Sequence, residues 1–190
     1  MINLVKNQGQ SLRVIGGSWR SRKINFPDQK NIRPTSNRVR ETLFNWLMHD
    51  IKGATCLDLF AGSGILSIEA LSRGAKHVTL VEDNEITSSR ILDNFILLQA
   101  EPIKFTNVKA NAINWVKTCK TRFDIIFIDP PFQSELLPEL LIQISKQRIA
   151  NKFIYLETPK ELTTSTLPPN WNLYQQKRTG SVHYGLWITG

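Results

Sequence analysis

Two short segments hold residue types that can do chemistry together. Leu57-Asp58-Leu59-Phe60-Ala61-Gly62-Ser63-Gly64 closes one apolar run, and Asp129-Pro130-Pro131-Phe132 closes another. In the first, Gly62 and Gly64 permit a tight turn and close backbone approach, and the helix expected next aims its free N–H groups at a ligand. In the second, two prolines fix φ and remove donors. The Asp129 carboxylate and the Pro130 carbonyl then offer only acceptors at one place, which suits the two hydrogens of a planar exocyclic amine. Phe132 adds a face on which a base can stack. The blander alternatives are a plain chain reversal for the first segment and a strand-ending proline turn for the second.

The residues around the glycines narrow the cofactor. No lysine follows them, which disfavours a P-loop. Ser67 stands where a dinucleotide fingerprint needs its third glycine. Asp58 before the turn can orient it or meet an ammonium group. Glu82 closes the next apolar run after Gly64, where a carboxylate can accept from both ribose hydroxyls. Strand alternation favours Glu82 over its neighbour Asp83. Asn111 follows the third run and can pair with an adenine edge, with the Ala112 backbone nearby. Adenosine with an amino-acid tail and no phosphates describes S-adenosylmethionine, and with an amine target it describes methyl transfer.

The elements that must position these residues are legible in outline. Residues 11–26 read as a hairpin turning at Gly16-Gly17, and 27–34 as a loop. Thr35 or Ser36 caps a helix with Val39, Leu43 and Leu47 at one-turn spacing, and Arg38 and Arg40 lie in its first turns, against the helix dipole, as a hint of a ligand. From Ala54 strands and helices alternate. Strands are expected at 55–60, 77–82, 103–109, 123–129 and 153–157, and helices at 64–73, 85–98, 112–118 and 135–146. Alternation of short apolar strands with helices predicts an α/β, mostly parallel sheet covered on both faces. Residues 171–179 and 182–189 add an antiparallel C-terminal hairpin.

Composition bounds the partners. The chain has 190 residues and a net charge of +8, of which +6 falls in residues 1–50, with nine Lys or Arg against three acids. A basic arm on a near-neutral body is the footprint of a polyanion-binding attachment, here nucleic acid, although a charge run can also be no more than a solvated surface. The expected organisation is a basic hairpin and helix at 1–50 and a Rossmann-like domain at 51–190. Arg13, Arg20, Arg22 and Lys23 are assigned to RNA phosphates, and Trp19 to base stacking or to the core between hairpin and sheet. The polar N-terminus lacks a signal-peptide pattern, no apolar stretch is long enough to span a bilayer, and no metal site is visible, so a cytoplasmic protein is expected. Cys56 and Cys119 have no metal or redox spacing and read as buried thiols.

Asp129-Pro130-Pro131-Phe132 resembles the [N/D/S]-P-P-[Y/F/W] motif of amino-group methyltransferases. Arg33-Pro34-Thr35 through Arg38-Val39-Arg40-Glu41-Thr42-Leu43-Phe44-Asn45-Trp46-Leu47, followed by Asp58–Gly64, resembles a narrower group, the bacterial 16S rRNA guanine-N2 methyltransferases of the RsmD type. That resemblance extends from Arg13-Val14-Ile15-Gly16-Gly17 to the C-terminal hairpin. It implies a class I S-adenosylmethionine-dependent methyltransferase fold and methylation of a guanine N2 in 16S rRNA within a small-subunit (30S) particle. By the same resemblance Phe60 and Ala61 join the cofactor site, Thr35 and Arg38 close over the cofactor's methionine end, and Arg33 joins the RNA contacts. Asn111 departs from the Asp common at its place, and Phe132 from the commoner Tyr. The rival readings are another amino-methyltransferase, acting on adenine, cytosine or a protein glutamine, and a catalytically silent RNA-binding module.

Overall fold

A computed structural model describes residues 10–27, 34–131, 135–162 and 166–190; Arg33 and Phe132 lie outside them. A small antiparallel pair, β1 (Gln10–Arg13) and β2 (Lys23–Phe26), precedes helix α1 (Asn37–Trp46). There follow β3 (Thr55–Asp58), α2 (Ile65–Ser72), β4 (His77–Glu82), α3 (Glu85–Leu97), β5 (Phe105–Lys109), α4 (Ala112–Thr118), β6 (Phe123–Ile128), α5 (Leu137–Gln147) and β7 (Ala150–Thr158). The chain closes with β8 (Trp171–Thr179) and β9 (Val182–Thr189).

The seven-stranded sheet has the order β5-β4-β3-β6-β7-β9-β8. β3 to β7 are parallel, and β9 and β8 are antiparallel additions at the edge, as expected from the sequence. Side chains alternate across the sheet and feed two apolar layers. Ile125, Phe127, Phe153 and Tyr155 join α1, α2 and α3 on one face, while Ile126, Ile128, Ile154 and Leu156 join α4 and α5 on the other. Strands buried on both faces are apolar at most positions, which is why they read as near-continuous runs. The strand order reverses between β3 and β6, so a crevice opens beyond their carboxyl ends.

Several expected boundaries move, each for a local reason. β3 stops at Asp58 rather than at residue 60, because the glycine turn already begins at Leu59. β5 starts at Phe105, since Pro102 opens a short 3-10 turn that leaves Ile103 exposed. Gly64 caps α2 from a left-handed conformation, φ 74°, rather than joining the helix. Ser36, not Thr35, caps α1, its hydroxyl accepting from Val39 N. β7 runs the full 150–158.

The hairpin and α1 pack into the same core as the sheet: Val14, Ile24, Val39, Leu43 and Phe44 share one cluster with Leu80 and Phe127. Polar clamps hold them there. Ser72 Oγ donates to Gly16 O (2.5 Å) and accepts from Trp19 N (2.9 Å). Asn94 pairs with both backbone groups of Asn25 at 2.9 and 2.7 Å. Gly17 has φ +76°, and a Cβ there would lie 1.8 Å from the Ser72 carbonyl oxygen. Only glycine fits this approach. Cys56 and Cys119 are buried free thiols. Among the described residues no helix is long and apolar enough to cross a membrane.

Candidate active site

Three adjacent strands bring the expected groups together. Glu82 ends β4, Asp58 ends β3 and Asp129 follows β6, side by side in the sheet order. Asp58 is 2% exposed and accepts from Ser67 Oγ at 3.0 Å. Burial pushes its carboxyl up to about 7, with the Glu82 charge adding to the shift and the Ser67 bond opposing it. A buried carboxyl raised in this way gains most from a cationic partner.

Glu82 fastens the glycine turn: Oε2 accepts from Gly62 N at 2.9 Å and Oε1 from Asn84 N at 3.0 Å. Burial raises its pKa as well, against the lowering effect of those two N–H donors. Gly62 has φ +50°, and a Cβ added there would meet only Phe60 O, at 3.8 Å. The turn therefore leaves a cradle over its backbone that a side chain would fill. Ala61 is buried and Phe60 half-buried against the α4–α5 layer. Asn111 caps α4, its Oδ1 accepting from Asn114 N, and Ala112 is buried beneath it. An acidic strand end, an open glycine cradle and a capped helix start on the next strand fit a ribose, an amino-acid tail and an adenine edge.

On the other side of the crevice, Pro130 is buried, Pro131 exposed and Asp129 half-buried. Thr35 is 5% exposed, and its Oγ1 donates to Asp129 Oδ2 at 3.3 Å. The segment before α1 thus reaches the proline loop across 94 residues of chain. Arg38 stands exposed on the first turn of α1.

Arg40 has a different place from the one its sequence position implied. It is not a displaced cation awaiting a ligand but fully buried, and it spans three elements. Its guanidinium donates to Glu69 Oε2 (3.3 Å), Thr35 O (3.3 Å), Arg13 O (3.1 Å) and Asn37 Oδ1 (2.6 Å). Glu69, buried in α2, also accepts from Ile15 N (2.8 Å), Gly16 N (2.7 Å) and Arg73 Nε (2.8 Å). Sequence reading missed Glu69 altogether. Its signal was a single acid in the otherwise apolar or small run Ile65 to Ser72. Tyr155 and Glu157 were missed too. Tyr155 Oη donates to Glu157 Oε1 at 2.8 Å, and burial together with the Glu157 and Asp129 charges raises the phenol's pKa.

The hairpin cations are placed away from this crevice. Arg13, Arg20, Arg22 and Lys23 are exposed, and Trp19 is half-buried against the core. Ser18 N donates to Ser72 O, and Arg22 Nη2 to Leu97 O, at the C-terminal ends of α2 and α3. Those ends lie at the amino-end side of the sheet, opposite Asp129.

Known proteins share both sequence and fold with this chain. Residues 12–188 match the family described as conserved hypothetical protein 95. The ribosomal RNA small subunit methyltransferase D of Escherichia coli K12 is 42% identical over 93% of this chain and 89% of its own. The solved Escherichia coli protein yhhF is 40% identical, with a TM-score of 0.85 over 95% of this chain and 98% of that one. SMU.776, solved in complex with SAH, shares the fold alone, at 17% identity and TM-score 0.72 over 88% of this chain and 53% of that one. The chain belongs to the conserved hypothetical protein 95 family, and the ribosomal RNA small subunit methyltransferase D proteins are its close relatives.

Proposed function

We propose that this protein transfers a methyl group from S-adenosylmethionine to the exocyclic N2 amine of a guanine in small-subunit rRNA, with the rRNA presented in a 30S particle in the cytoplasm. One observation carries the reading: the glycine cradle and the proline loop end neighbouring strands, β3 and β6, on either side of the sheet's switch point. A cofactor on one and an amine on the other are then within reach of each other. The names of the relatives supply the rRNA, and the resemblance of the Arg33-Pro34-Thr35 block supplies the guanine.

When bound, S-adenosylmethionine supplies a methyl group on a positively charged sulfur, activated for in-line displacement. Glu82 accepts the ribose hydroxyls, the Gly62 and Gly64 backbone lets the cofactor approach, and Asn111 with the Ala112 backbone meets the adenine edge. Phe60 and Ala61 shape the wall. Asp58 pairs with the ammonium of the amino-acid tail. Arg38 meets its carboxylate from the first turn of α1, where Thr35 closes the crevice.

The guanine amine is a poor nucleophile because its lone pair is delocalised into the ring. Asp129 and the Pro130 carbonyl would accept hydrogen bonds from its two N–H groups and so turn that lone pair toward the methyl carbon. As the N–C bond forms the C–S bond breaks, the neutral thioether leaves, and the methylated nitrogen gives up one proton to solvent. Pro131 keeps the loop rigid and Phe132 stacks on the base. Thr35, through its hydroxyl on Asp129 Oδ2, fixes the carboxylate plane. Catalysis in this scheme comes from orientation, which is worth several orders of magnitude without a strong base. Arg33 and the hairpin cations bind phosphates, and residues 1–50 act as an RNA-contacting extension of the 51–190 domain. The test is incubation with labelled S-adenosylmethionine and unmodified 16S rRNA or 30S particles, followed by nucleoside analysis. N2-methylguanosine is the expected product; N6-methyladenosine or labelled protein would overturn the proposal, as would RNA binding without label.

A further inference from the structure

The sheet is polar in its charge. Its carboxyl ends carry Asp58, Glu82, Asp83, Asp129 and Glu157, against Lys109 at the end of β5. The turns that feed its amino ends carry Lys52 before β3, Lys76 before β4, Lys120 and Arg122 before β6, and Arg148 before β7, against Asp50 before β3 and Glu101 before β5. At that basic end lies a cavity of about 790 Å³, bordered by Lys120, Arg122, Lys146 and Arg148 and floored by Trp171 and Ile144. Among the described residues no acidic side chain lines it. None of the four cations forms an ion pair among the described residues, although nearby Lys117 and Lys152 do, with Glu139 and Asp50.

Helix dipoles account for part of this. Lys146 and Arg148 stand at the C-terminus of α5, where a cation is favourable. That leaves Lys120 and Arg122, which approach the same cavity from the turn before β6. Four like charges around one concavity repel one another, and beyond what the α5 dipole offsets a multivalent anion or salt relieves the repulsion. The hairpin turn adds Arg22 to the same end, since Ser18 N bonds to Ser72 O at the C-terminus of α2 and Arg22 Nη2 to Leu97 O at that of α3.

We propose that this amino-end face is a second RNA surface, which holds phosphates of the same rRNA whose guanine is methylated at the carboxyl end. The inference rests on the reading given under Proposed function. Arg122 and Asp129 flank the single strand β6. At the rise of an extended strand, the two contacts are on the order of 20 Å apart along the sheet. An RNA that engages both must span at least that distance around the domain. Phosphate contacts at the far end then help set the register in which the guanine enters.

The test is a Lys120→Gln, Arg122→Gln, Lys146→Gln, Arg148→Gln variant of the full chain, all four positions being exposed. Binding to a small-subunit rRNA transcript is measured across a salt series, alongside S-adenosylhomocysteine affinity and the thermal midpoint. Each lost phosphate contact flattens the log–log salt dependence by about 0.7–0.9, so the slope is expected to fall by about three. Cofactor affinity stays at the wild-type value, because none of the four residues lies at the crevice, and the thermal midpoint shows that the variant remains folded at the assay temperature. An unchanged slope with wild-type methylation of rRNA overturns the second surface and leaves the functional reading intact. A wild-type protein that methylates no rRNA overturns the functional reading, and the inference with it.

Discussion

Replacing Glu69 with Gln tests the tie between the N-terminal extension and the catalytic crevice. The wild-type carboxylate is fully buried and accepts four bonds, from Ile15 N, Gly16 N, Arg40 Nη1 and Arg73 Nε. Glutamine keeps one oxygen acceptor but carries no charge, and its amide group presents hydrogens where donors already point. The Arg40 guanidinium, itself buried, is then left without its counter-ion. Breaking one partner of a buried ion pair costs about 3–5 kcal/mol. In a domain of this size that lowers the melting midpoint by about 6–20 °C, at about 2–4 °C per kcal/mol. Urea unfolding of the purified variant, fitted with the wild-type m-value, measures the loss directly. Amide exchange at Ile15 and Gly16 should rise more than at strand β6, because the hairpin loses two of its anchors. A Glu69→Gln cost below about 1 kcal/mol, typical of an exposed ion pair, would falsify the assignment of the network as the clamp.

Three further perturbations address the crevice. Asp129→Asn should retain measurable methyl transfer, while Asp129→Ala should lose about 10²-fold or more through misplacement of the amine; equal and complete loss in both would make Asp129 a base rather than an orienting acceptor. S-adenosylhomocysteine affinity, followed by calorimetry, should rise as pH approaches 7, because Asp58 is held up to about 7 by burial and the ligand's ammonium pairs only with the ionised form. It should fall again at higher pH, once the ligand's own α-amine deprotonates. Asp58→Asn should abolish the rise, and a flat profile in wild type would refute the pairing. For the unliganded protein the sign reverses. Folded Asp58 keeps its proton to a higher pH than the unfolded chain, so its contribution to stability declines between about 4 and 7; Glu82, also raised, adds in the same direction. Gly62→Ala costs about 1–2 kcal/mol of stability for its left-handed backbone. Its Cβ also enters the cradle, so cofactor affinity should fall by more than the stability loss explains; equal affinity would mean the cradle lies elsewhere.

Local chemistry made a good deal of this legible in the chain. Gly62 and Gly64 demand a backbone that other residues resist, Asp129-Pro130-Pro131 can adopt few conformations, and short apolar runs with helices between them admit only a covered parallel sheet. These features depend on neighbours in sequence, and the structure keeps them: β4, α4, β8 and β9 have the expected bounds. What the sequence could not show depends on contacts between distant residues. Arg40 looked like one more charge of a basic arm, yet Glu69, 29 residues away, draws it into the core. Thr35 meets Asp129 across 94 residues. The cations of the hairpin turn and those before β6 share the end of the sheet opposite the crevice, although nothing in their spacing links them. A glycine or proline restricts its own backbone wherever it stands, so it can be read one residue at a time. A charge has no fixed role until burial and a partner are known, and only the folded chain supplies both.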